Sequence, residues 1–78
     1  PPQDTVVTRD QALEIARLDA EKVYRDLSRF RVTIFLEQDG WHVDYELKNQ
    51  EGFVTVGGGP HYVIDSVTGK ILSKRYEQ

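Results

Sequence analysis

With 78 residues, no cysteine, and ten Lys and Arg set against thirteen Asp and Glu, the chain is read as one small domain lacking disulfides, thiolate nucleophiles and zinc–thiolate sites. Its formal charge of −3 repels a phosphate backbone, so nucleic acid is not an expected partner. The apolar runs span only a few residues, far short of the roughly 20 that a bilayer crossing needs, and no membrane insertion is expected.

Residues 1–7 read as an extended, proline-led arm of a single α+β domain spanning 1–78. The chain opens on Pro1-Pro2 and contains no methionine, as expected of a processed end or a piece of a longer protein; any signal segment upstream would then be missing from view. Thr8, followed three positions later by Gln11, forms a capping-box signature, and Asp10 in the first turn suits the helix dipole. Leu13, Ala16, Ala20, Val23 and Leu27 recur every three or four residues, with Ala12, Ile15 and Tyr24 widening the stripe. Glu14, Arg17, Glu21, Lys22 and Arg25 fall on the other side, so the spacing predicts one amphipathic helix of about five turns. Val7, just ahead of the cap, is placed to staple onto Ala12.

From Phe30 the period becomes two. Phe30, Val32, Ile34 and Leu36 share one face, and Arg31, Thr33, Phe35 and Glu37 the other. Asp39-Gly40 signals a type I′ hairpin, which would set Leu36 opposite Val43, Ile34 opposite Tyr45, Val32 opposite Leu47 and His42 opposite Glu37. Trp41 has inward parity and is predicted to cap the end of the core. Lys48 to Gly52 is a polar connection, and Phe53–Val56 a short strand that ends in Gly57-Gly58-Gly59, read as a bend or bulge in the sheet. Tyr62–Asp65 and Ile71–Tyr76 form the last hairpin. In its turn Asp65 bonds backbone N–H groups ahead of it and Gly69 takes a positive φ. Lys74 and Arg75 mark the final arm as an edge or solvent-facing strand. The predicted fold class is α+β: one N-terminal amphipathic helix packed on a four-stranded antiparallel sheet, in the order α-β-β-β-β. The Phe30/Val32/Ile34/Leu36 and Val43/Tyr45/Leu47 rows are expected under the helix, with the other face left free.

Little in the sequence points to catalysis. His42 and His61 are the only histidines. Paired with Glu37, His42 reads as part of a surface ion pair rather than a catalytic dyad, and His61 after Pro60 as a strand-edge residue. An open sheet face gives a carboxylate pair too little enclosure for glycoside chemistry. The glycine run leads into a strand with no Lys-Ser or Lys-Thr after it, so it lacks the helix dipole of a phosphate loop. No catalytic, cofactor-binding or metal-ligating residue is predicted. Glu37, Asp39, Asp44 and Glu46 do gather beside Phe35 on the outer face, and two readings compete for them: a solvated sheet face, or a docking surface for a basic partner, since interfaces use exposed aromatic area rimmed by charge. On the second reading the partner-binding residues are Phe35, Glu37, Asp39, His42, Asp44, Glu46, Gly58 and His61.

Several segments together resemble known families. These are Gln11-Ala12-Leu13-Glu14-Ile15-Ala16, Trp41-His42-Val43, the Gly57–Pro60 run, and Ile64-Asp65 followed by Thr68-Gly69-Lys70-Ile71. The pattern is similar to small bacterial immunity proteins with a nuclear-transport-factor-like fold, and the glycine run before the final hairpin carries most of that likeness. It also resembles PepSY domains, which share the helix-then-sheet order and the Asp…Thr-Gly turn. The first likeness implies a non-enzymatic domain that neutralises a partner toxin. The second implies an inhibitory or regulatory module of an envelope protein or peptidase. Either implies a partner protein, and a place in the bacterial cytoplasm or periplasm. One helix and four short strands are too few for the full cone and deep pocket of the larger fold, so no ligand pocket is carried over.

Overall fold

The computed structural model describes residues 6–48 and 58–76. They form α1 (Arg9–Ala20), β1 (Phe30–Glu37), β2 (Gly40–Leu47), β3 (Gly58–Ile64) and β4 (Ile71–Tyr76). All neighbouring strands are antiparallel and the sheet order is β1-β2-β3-β4, which gives the expected α+β arrangement. The strand expected at Phe53–Val56 lies outside the described residues. The third described strand instead begins inside the glycine run, at Gly58.

The helix starts where its chemistry says it should. The Gln11 N–H donates to Thr8 Oγ1 at 3.1 Å, while the Thr8 N–H donates to Gln11 Oε1 at 2.8 Å, closing the capping box. Val7 and Ala12 both lie in the buried core. The helix is shorter than expected, however: it ends at Ala20 after 12 residues, about three turns instead of five. The Lys22 and Val23 N–H groups bond back three residues, to Asp19 and Ala20, tightening the chain out of the helix. Val23 and Tyr24 are weak helix formers, and the Asp26 carboxylate takes the Ser28 N–H at 2.9 Å, offering the backbone a turn in place of another helical bond. Leu27 still packs on the core, but from the connection.

The β1–β2 hairpin keeps the predicted faces and shifts the predicted register by two residues. Leu36 lies opposite Trp41, Ile34 opposite Val43, Val32 opposite Tyr45 and Phe35 opposite His42. A type I′ turn at Asp39-Gly40 needs positive φ at both residues, and among the described residues only Gly40 (φ 134°) and Gly69 (φ 79°) have it. The loop is therefore Gln38-Asp39, and Gly40 opens β2. A shift of two preserves side-chain parity, so the inward row stays inward.

The core is Val7, Ala12, Ala16, Ala20, Val43, Tyr45, Tyr62 and Ile64. Alanine at every core-facing turn lets α1 sit close to the central strands, but one short helix does not cover the whole sheet. Val32 and Leu36 on the inward row of β1 keep 37% and 47% of their surface, so that row is only partly buried, contrary to expectation. Trp41 is half-buried and its Nε1–H donates to the Val7 carbonyl at 2.8 Å, which ties the start of the chain to the end of the core as its parity predicted. Of the expected N-terminal arm, Val6 and Val7 are described, and both N–H groups bond to the Ser66 carbonyl.

The β3–β4 turn follows the sequence closely. Asp65 Oδ1 accepts from the Val67 and Thr68 N–H groups at 2.7 and 2.9 Å, Gly69 N–H reaches the Asp65 carbonyl, and Gly69 has the positive φ. The glycine run also lies at an irregularity, since the β2–β3 register shifts between Asp44 and Glu46.

Candidate protein-docking face

Alternation along β1 and β2 puts Phe35, His42, Asp44 and Glu46 on the sheet face away from α1, and the β3 register brings His61 opposite Asp44. Phe35 and His42 are cross-strand partners whose rings stack, with centroids 5.2 Å apart and planes 15° from parallel. His42 Nε2 lies 2.7 Å from Asp39 Oδ1 in the hairpin loop, and this hydrogen bond holds the Asp39 carboxyl below the usual carboxylate range. The expected Glu37 pairing of His42 is thus replaced by Asp39, a direct result of the register. A second imidazole–carboxylate pair joins strands, with His61 Nδ1 2.8 Å from Asp44 Oδ1.

Charge runs unevenly over the face. Glu37 and Asp39 stand exposed at the loop end, next to the Phe35–His42 stack. Towards the opposite end Glu46 lies across the ladder from Arg31, and His61 across from Arg75. The carboxylates therefore divide into a loop-end rim of Glu37 and the His42-bonded Asp39, and positions interleaved with arginine, instead of one acidic patch. Between β2, β3 and β4 runs a shallow groove of about 340 Å³ bounded by His42, Asp44, His61, Val63, Ser73 and Arg75. Phe35 keeps 39% of its surface on this face. Gly58 is buried in the sheet opposite Glu46, below the surface that a partner would meet.

No family model, curated protein or solved structure matches the chain. The face is accordingly read from its own geometry. Among the described residues no group of three or more His, Cys, Asp or Glu is arranged to hold a metal ion, and no helix is long and apolar enough to cross a membrane. The arrangement offers a flat aromatic stack, two imidazole–carboxylate pairs, and a carboxylate rim.

Sequence reasoning passed over a second polar cluster, on the inner face. Asp19 in the last turn of α1 accepts hydrogen bonds from the Tyr62 hydroxyl at 2.9 Å, the Tyr76 hydroxyl at 2.5 Å and Lys74 Nζ at 3.3 Å. The Tyr76 hydroxyl foremost, with Tyr62 and Lys74, holds the Asp19 carboxyl below its ordinary range. Burial, reinforced by Asp19, pushes the Tyr62 hydroxyl far up. The signal was present: Asp19 stands next to Ala20 and three residues after Ala16, a carboxylate at the edge of the apolar stripe. Lys74, on the edge strand and exposed as its charge suggested, also reaches the Asp19 carboxylate at the end of α1.

Proposed function

We propose that this chain is a non-enzymatic protein-binding domain that docks a basic partner protein through the outer face of its sheet and thereby blocks that partner. The observation that carries the reading is the Phe35–His42 stack, lying beside the exposed Glu37 and Asp39 rim. A flat aromatic anchor offers apolar area at low entropic cost, and the rim would steer a cationic surface toward it. Asp44 and His61 supply a second polar contact point, with their side chains already fixed by each other. The resemblance to immunity proteins names the partner class, a toxin domain. PepSY-like inhibition of a peptidase is the alternative, favoured by the Asp65…Thr68-Gly69 turn, and the partner that binds decides between the two.

The test is direct titration, by calorimetry, of candidate toxin domains and candidate peptidases into the purified domain. Phe35→Ala is expected to weaken a genuine complex by about 2 kcal/mol, or thirtyfold in Kd. Glu37→Lys with Asp39→Lys is expected to lower the association rate and its salt dependence. A complex indifferent to all three substitutions would refute docking at this face.

A further inference from the structure

β4 is an edge strand, with Ile71 packed on the core at its start and only exposed residues after it, while its partner β3 is the most buried strand described. The β3–β4 register is also broken between Val63 and Ile64, which isolates the Lys74–Tyr76 end from the turn. β1 is lightly covered too, yet it pairs all eight of its residues with β2 in one unbroken register. At the far end of β4, two of its side chains converge on the Asp19 carboxylate of α1, whose side chain is only 13% exposed. Tyr76 donates from its hydroxyl, Lys74 donates from Nζ, and the same Lys74 ammonium lies 5.7 Å from the centre of the Tyr76 ring. Tyr62 of β3 completes the set around the carboxylate.

From this geometry we propose that Asp19 is a latch and β4 a separately opening strand. With the Tyr76 and Lys74 contacts made, β4 stays on the sheet. With them broken, β4 leaves while α1 and β1–β3 hold their places. Elements with few buried apolar contacts open at a lower free energy than the core. At the free end the Tyr76 ring also meets the rings of Tyr24 and Tyr62, at 6.2 and 6.5 Å between centroids, and the Asp19 carboxylate gathers the polar contacts of Lys74 and Tyr76. Opening uncovers the backbone edge of β3 from Pro60 to Ile64, which β4 otherwise pairs. The inference does not rest on the docking reading: its argument uses the Asp19 cluster on the inner face, although Ser73 and Arg75 of β4 also bound the outer groove.

Native-state amide exchange of the full chain, followed by NMR across low urea concentrations at neutral pH, tests the proposal. The ladder amides of Ile71–Tyr76 are expected to open with a smaller urea dependence than those of β1 and β2. Tyr76→Phe is expected to speed their exchange about tenfold, and Asp19→Asn more. Ile34→Val, which weakens contacts that the open state retains, is expected to speed the β1–β2 amides about fivefold and leave the β4 amides unchanged. Equal opening free energy and urea dependence across all four strands would overturn the proposal, as would β4 amides indifferent to Tyr76→Phe. Should Asp19→Asn fail to fold, Tyr76→Phe and Ile34→Val decide the matter.

Discussion

Replacing Gly40 by alanine tests the hairpin register more sharply than any other single change. A Cβ at this position would lie 2.3 Å from the Ile64 carbonyl oxygen and 3.0 Å from its carbon, both backbone atoms of a central strand. The φ of 134° adds strain of order 1–3 kcal/mol for any L side chain. Relief of the contact requires β2 and β3 to separate by more than half an ångström, or about 2 kcal/mol more if the penalty resembles other overpacked sites. The sum, about 3–5 kcal/mol, equals the whole stability expected of a domain this small. Gly40→Ala should therefore be largely unfolded at 25 °C, read by urea denaturation with Trp41 fluorescence. Gly69→Ala is the control: its φ of 79° is strained, but its nearest neighbour is the flexible end of Ile15 at 3.3 Å, and a loss of about 1 kcal/mol is expected. A Gly40→Ala protein that loses no more than Gly69→Ala would refute the close approach of Gly40 to Ile64.

Thr8→Ala removes one half of the capping box and is expected to cost about 1 kcal/mol, a fall of roughly 5 °C in Tm by circular dichroism. Trp41→Phe leaves the Val7 carbonyl without its indole donor and is expected to cost about 1 kcal/mol in the same assay. Acid titration probes the depressed carboxylates: backbone N–H donors from Thr68 and Val67 hold Asp65 low, and the Tyr76 hydroxyl holds Asp19 low. Groups whose folded pKa lies below the unfolded value stabilise the protein above the unfolded pKa, near 3.9, and lose that contribution as pH falls through the folded one. The urea midpoint should thus drop below about pH 4, and Asp65→Ala should flatten that limb; an unchanged limb would show that the turn carboxylate contributes nothing.

Local chemistry was legible wherever one residue and its near neighbours settle the outcome. The Thr8–Gln11 box, the Asp65–Gly69 turn and the inward row of β2 all follow from contacts within a few positions. Asp39-Gly40 shows the limit of such signals: the dipeptide announces a hairpin, but whether glycine sits in the loop or opens the next strand depends on its approach to Ile64, 24 positions away. That choice moved His42 from Glu37 to Phe35 and Asp39, and with it changed the candidate site from a charge pair to an aromatic stack. The helix end was obscured because Val23 and Leu27 continue the apolar spacing, while the competing bonds from Asp26 do not alter periodicity. Asp19 was hidden for the same reason as most buried polar clusters, since its partners Tyr62, Lys74 and Tyr76 come from the other end of the chain.

The central claim is that a basic partner protein docks on the outer sheet face. Its most direct test is a titration of the isotope-labelled domain with the toxin domain or peptidase found to bind it, following backbone amide shifts by NMR. The changes are expected to centre on Phe35, His42, Asp39, Asp44 and His61, and in Phe35→Ala to follow a binding curve about thirtyfold weaker. Binding that perturbs the exposed side of α1 while leaving those residues unchanged would contradict it.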